Sequence, residues 1–421
     1  MKSYRRTRVW WLGLFVCAAA QPAAAITLQV DYTYDTSNFF GAGNPQGAAA
    51  GAQAKATLEA AASYFSSILT DSFSAIQTPA QYHSTFPNSN GTVTWTWHES
   101  FSNPSTGADV TISNPTVAAN KYIIYAGGSN LTGTTVGVGA VGGFDWSSNI
   151  TGANQFTPSD INTINATTDS FSAAVETRGQ ASGFAAWGGA ISFDNTARNW
   201  HFDNTTAPAA GETDFSSVAL HELLHALGFG ETNGGSPVTP WESFVSGNVF
   251  IGNNSEGANG FQPVPLSADL AHWAQGTNSV VYGTSIAQET VMTPSINDGQ
   301  RKKVTTLDVA ALKDIGWSVI SPPGVNGDYN ADGVVDARDY IVWRDHLGQS
   351  FAMPNDTTPG TVTQADYNVW RSNFGAGAGS GSGSLGEGSA VPEPASAVLL
   401  VFGWIALASC RSRRATSRPG R

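Results

Sequence analysis

The chain has 421 residues, of which 41% are hydrophobic and only 12% charged, with a formal net charge of −12; this exceeds one ordinary domain, supplies ample core material and excludes disorder driven by charge. Gly, Ser, Thr and Asn are abundant, a composition typical of exported β-rich proteins rather than cytosolic enzymes. Without its basic end segments the body carries −20, which excludes nucleic acid as a partner, does not suit anionic membrane surfaces and suits calcium binding.

Lys2, Arg5, Arg6 and Arg8 precede the apolar run 9–20 and the small residues Ala23-Ala24-Ala25. These are the three regions of a secretory signal, with cleavage expected after Ala25. Both cysteines, Cys17 and Cys410, lie in the end segments. The exported body therefore has no disulfide and depends on core packing and bound metals.

From Ile26 to about Thr213 the pattern mixes strands with at least one helix. Residues 26–34 alternate in strand fashion, 52–69 have alanine-rich helical spacing, and 93–98 and 122–125 read as strands. A second helix follows. Asp214 can cap it, the apolar set Val218, Ala219, Leu220, Leu223, Leu224 and Leu227 supplies its buried face, and Gly228 is a natural stop.

That helix carries His221-Glu222-Leu223-Leu224-His225. At 3.6 residues per turn, histidines four apart project from one face and can share a zinc ion, with Glu222 beside them as general base. Zinc lowers the pKa of a bound water to about 7, and a carboxylate can then take its proton during attack on a carbonyl. Two histidines leave such a site incomplete, and a helix that merely contains this short pattern is the alternative.

Downstream the chain reads Ala226-Leu227-Gly228-Phe229, then Asp269-Leu270-Ala271-His272-Trp273, then Glu289-Thr290-Val291-Met292-Thr293-Pro294. This succession resembles the metzincin metalloproteases, most closely the leishmanolysin-type branch, in which a long insertion displaces the third histidine. The resemblance implies His272 as third zinc ligand and Met292 as the residue of the Met-turn beneath the metal. The compact metzincin pattern expects its third ligand three residues after the glycine, where this chain has Glu231, a carboxylate that can itself bind zinc. The resemblance further implies that residues 188–202 form the edge strand along which a peptide substrate adds as an antiparallel strand. It makes residues 305–317, capped by Thr305 or Thr306 and ended by Gly316, the closing helix of a small C-terminal subdomain. Some metzincins use an assisting tyrosine, and Tyr282 is the nearest by position.

After Pro322-Pro323-Gly324 the chain places Asp328, Asn330, Asp332, Asp336 and Asp339 at loop positions 1, 3, 5, 9 and 12, with Gly333 at 6 and the Val334 carbonyl at 7. This is EF-hand calcium spacing, with Asp where Glu usually closes the site. Asp339-Tyr340-Ile341-Val342-Trp343-Arg344 is echoed by Asp366-Tyr367-Asn368-Val369-Trp370-Arg371, and the second loop runs from Asn355 to Asp366 with Pro359 where an acidic ligand belongs. Two such repeats resemble a type I dockerin, which implies a cohesin-like partner.

A Gly/Ser-rich run over 376–390 then leads to Val391-Pro392-Glu393-Pro394, an apolar stretch and Arg411, Arg413 and Arg414. The apolar stretch is shorter than a comfortable span and is stopped by positive charge. It resembles a PEP-CTERM sorting signal, and a permanent membrane anchor is the alternative.

The expected architecture is α+β: signal 1–25, a metzincin-like domain 26–320 with a twisted mixed sheet, active-site helix and small C-terminal subdomain, an α-helical EF-hand-like dockerin module 325–375, a linker 376–390 and a sorting segment 391–415. The expected function is an exported zinc endopeptidase of the bacterial envelope or exterior acting on protein or peptide substrates, with calcium in the module. The alternatives are a non-catalytic surface protein that works through the calcium module and a zinc enzyme of another class that uses Glu231.

Overall fold

The computed structural model describes residues 26–390 apart from 181–186, 197, 233–238, 285, 321–325, 331–334, 359 and 375–388. The signal 1–25, the segment 391–415 and nearly all of the linker thus lie outside the described residues, as do Asp332, Gly333, Val334 and Pro359. Among the described residues no helix is long and apolar enough to cross a membrane.

The first half of the body runs β1 (Thr27–Asp31), α1 (Ala48–Ile68), β2 (Tyr82–His83), β3 (Thr92–Ser102), β4 (Asp109–Ser113), β5 (Lys121–Ser129), β6 (Gly137–Val141), β7 (Gly143–Thr151), α2 (Pro158–Glu176) and β8 (Gly188–Asp194). Two short strands, β9 (Trp200–His201) and β10 (Thr213–Asp214), lead into α3 (Phe215–Ala226). Helices α4 (Asn253–Ala258) and α5 (Thr306–Asp314) follow, then α6 (Ala337–His346) and α7 (Gln364–Asn373). The chain is α+β.

Side-chain alternation sets the layers. In β5, Tyr122, Ile124 and Ala126 enter one core while Ile123 and Tyr125 enter another; in β8, Ile191 and Phe193 oppose Ala190 in the same way. A strand that buries both faces belongs inside a sheet. The central sheet has the order β1-β5-β8-β6, with β1, β5 and β8 parallel and β6 antiparallel at the edge. Helices α1 and α3 pack on one face through Leu58, Phe65, Val218 and Leu223. The antiparallel sheet of β2, β3, β4 and β7, together with α2, covers the other through Trp95, Trp97 and Phe171, in one cluster with Trp187, which precedes β8. Full burial of each such apolar side chain contributes about 1.5–3 kcal/mol.

Several elements outrun their expected limits. Helix α1 starts at Ala48 rather than 52, because the alanines before it continue the turn, and β3 extends to Ser102 because its strict alternation of burial persists. One expectation is overturned. Residues 188–202 do not form the edge strand: β8 is internal, flanked by β5 and β6, and Trp200–His201 pairs separately with Thr213–Asp214. The edge next to β8 is β6, whose Gly-Val-Gly-Ala-Val sequence lacks the bulky alternation that marks a strand.

Candidate metal centre

Helix α3 is fixed at both ends by its sequence. Asp214 Oδ2 accepts the Ser217 amide at 3.0 Å, and Arg301 Nη2 lies 2.6 Å from Asp214 Oδ1. At the other end Gly228, with φ of 99°, lets its own amide reach the His225 carbonyl and that of Phe229 reach Leu224. This is the paired Schellman turn that closes a helix on a left-handed residue. It also has a chemical consequence, because it turns the Phe229 carbonyl back to 2.8 Å from His225 Nδ1.

The other two rings are held likewise. His221 Nδ1 lies 2.9 Å from the Val291 carbonyl, and His272 Nδ1 lies 2.9 Å from Asp269 Oδ2. Carbonyl and carboxylate oxygens only accept, so these partners assign the ring hydrogen to Nδ1 and place the metal-binding lone pair on Nε2. The three Nε2 atoms form an equilateral triangle with sides of 3.2 Å, and all three histidines are buried. Three converging lone pairs repel unless a cation lies among them. A tetrahedral ion with zinc–nitrogen bonds of about 2.0–2.1 Å sets its nitrogens about 3.3 Å apart. The residues present fit that ion.

The elements bearing these groups are locked together. Asp308, buried in the first turn of α5, accepts Trp273 Nε1 at 3.1 Å, the Val291 amide at 3.2 Å and both the amide and hydroxyl of Thr305. It thereby ties the neighbour of His272 to the residue whose carbonyl orients His221. Burial pushes its carboxyl above the ordinary range despite these bonds. Met292 is fully buried in the turn that follows Val291, and its carbonyl accepts the Trp273 amide at 3.0 Å.

Glu222 is buried on the face of α3 that meets β6. A Cβ at Gly137 would lie 2.3 Å from Glu222 Oε1, and one at Gly139 would lie 2.4 Å from the Glu222 carbonyl. Only glycine lets the edge strand approach this closely, which explains the sparse sequence of β6.

The structure separates the other named residues. Among the described residues, His221, His225 and His272 are the one group of three or more potential ligands that converges, and Glu231 is not in it. Glu231 instead lines a cleft of about 390 Å³ that runs past His225 and along β6. Tyr282 gives its hydroxyl to the Ile320 carbonyl, an engagement outside the histidine group.

No family model, curated protein or solved structure matches this chain.

In the C-terminal module, the two repeats grip each other reciprocally. Trp343 Nε1 donates to the Thr363 carbonyl and Trp370 Nε1 to the Asp336 carbonyl, both at 2.7 Å. Asp336 and Thr363 are the N-caps of α6 and α7, and Asp339 and Asp366 complete capping boxes with them. Asp328, Asp339 and Asp366 are buried, and Asp339 Oδ1 accepts the Asn330 amide at 3.0 Å. Asn355, at φ of 54°, sends its amide nitrogen to the Asp328 carbonyl at 2.9 Å. Arg338 pairs with Asp336 and donates to the Gly257 carbonyl in α4.

Three contributors to the centre escaped the sequence reading: Asp269, Asp308 and Gly137. Asp269 stands three residues before His272, the spacing of an orienting acid. Asp308 is signalled by its capping box with Thr305.

Proposed function

We propose that the body is a zinc-dependent endopeptidase built on a metzincin-like domain. The observation that carries this reading is the 3.2 Å triangle of Nε2 atoms whose Nδ1 atoms all face acceptors. His221, His225 and His272 would hold the ion. Zinc there supplies a Lewis acid toward a peptide carbonyl and a water molecule. Glu222, adjacent to His221 in sequence, takes the proton of the attacking water on a carboxylate oxygen and later delivers it to the departing amine. The β6 edge, which pairs with no strand but β8 among the described residues, offers its outer backbone to an extended peptide, which aligns the cleaved bond beside Glu222.

The same reading makes the protein exported, with residues 1–25 as its signal and 391–415 as a sorting segment. Calcium would be held by Asp328, Asn330, Asp332, Val334, Asp336 and Asp339, and a cohesin-like partner would engage α6 and α7.

The test is digestion of an unfolded protein substrate by the purified chain, with and without chelator, beside a Glu222→Ala control. Cleavage that zinc restores and Glu222→Ala lacks supports the proposal. Cleavage retained by Glu222→Ala overturns it.

A further inference from the structure

The cleft beside His225 is walled by apolar groups, among them Phe101, Leu131, Val138, Ile191 and Phe229, and carries two carboxyl groups. One of these, Asp269, is engaged with His272, Ser267 and the Ala271 amide. The other, Glu231, is different. It is half-buried, and no hydrogen-bond donor among the described residues reaches its carboxyl group. No lysine or arginine among the described residues lines the cleft. Burial, with the charge of Glu242 added, pushes the Glu231 carboxyl up to about 8. A carboxyl group enclosed by apolar walls and lacking a donor is costly to bury, and a ligand that brings a donor removes that cost.

Building on the endopeptidase reading, we propose that Glu231 selects, at a position flanking the cleaved bond, a substrate side chain with an apolar stem and a cationic end, arginine or lysine. The stem fits walls of this kind, since the methylenes of long basic side chains pack on apolar surface while the charged end seeks a partner. A guanidinium meets a carboxylate through two parallel hydrogen bonds, which a neutral isostere does not reproduce. An acidic side chain brings no donor to that group and gains no such pairing.

The experiment uses full-length, zinc-loaded protein and peptides that differ at one residue, placed in turn on either side of the cut: arginine, citrulline, norleucine or aspartate. Citrulline keeps the shape of arginine and lacks its charge. The expected kcat/KM for arginine exceeds that for citrulline by about ten-fold, one charge-assisted pair, and Glu231→Gln brings the ratio close to one while its zinc content is unchanged. Binding of the same peptides to the Glu222→Gln protein, followed by calorimetry, reads the preference without turnover. Equal binding and cleavage of arginine and citrulline peptides, or a Glu231→Gln effect equal on all four, overturns the proposal. Preferential binding of arginine peptides with no cleavage by zinc-loaded wild type overturns the endopeptidase reading and leaves the assignment of Glu231 standing.

Discussion

The Nδ1 atom of His272 lies 2.9 Å from Oδ2 of Asp269, and this contact turns the third histidine toward the other two. Burial pulls the Asp269 carboxyl upward, but the hydrogen bond and charge of His272, together with Ser267 and the Ala271 amide, outweigh it and hold the group well below the usual carboxylate range. Such an orienting acceptor fixes the ring tautomer and strengthens the ligand. Asp269→Ala is expected to lower zinc affinity about 10–100-fold, measured by competition with a chromogenic chelator. Unchanged affinity would remove Asp269 from the centre.

Gly137 tests the approach of the edge strand to Glu222, the proposed general base. In Gly137→Ala the new methyl falls 2.3 Å from Glu222 Oε1, so the carboxylate or the strand must shift. Displacement of a general base costs about 10²-fold or more in rate. The variant should keep its zinc and its cooperative unfolding while kcat falls by that order. Full activity would show that Glu222 does not work from the position seen here.

Asp308→Ala removes the acceptor for Trp273, Val291 and Thr305 at once. Leaving several buried donors unpaired costs on the order of 2–4 kcal/mol. The loss should appear in denaturant unfolding and be accompanied by weaker zinc binding, since both His221 and His272 lose a support. A stability loss with unaltered zinc affinity would make Asp308 purely structural.

Glu99 gives a pH test away from the centre. It is buried, its Oε1 accepts the Tyr125 hydroxyl at 2.8 Å, and burial, opposed by that bond and aided by Asp31, pushes its carboxyl up to about 7. Between the unfolded value of about 4.5 and the folded value of about 7, the native state holds a proton that the unfolded state has released. Stability therefore falls as pH rises through that window and levels off above it. Glu99→Gln should keep the Tyr125 bond, match wild type near pH 4 and be more stable near pH 8 by on the order of 1–3 kcal/mol. Parallel melting curves of the two proteins across pH would contradict this.

What the sequence revealed divides along physical lines. The cap at Asp214, the stop at Gly228 and the helical face of His221 and His225 were legible because each depends on neighbours a few residues away. That His272 rather than Glu231 joins the pair was read from resemblance, and the folded chain brings His272 there. The edge strand was misplaced. Residues 188–194 look like a strand through Ile191 and Phe193, and the burial of those two side chains puts the segment inside the sheet, whereas β6 is small because α3 presses on it. Asp308 shows a further limit: its capping box is local and readable, but its bonds to Trp273 and Val291 join segments 35 and 17 residues away.

The most direct measurement is the zinc content of the purified chain and of its His272→Ala and Glu231→Ala variants, prepared without chelator or added metal. One zinc per chain is expected in the wild type and in Glu231→Ala, with the metal lost from His272→Ala. Zinc kept by His272→Ala and lost from Glu231→Ala, or a well-folded wild type without metal, would contradict the three-histidine centre.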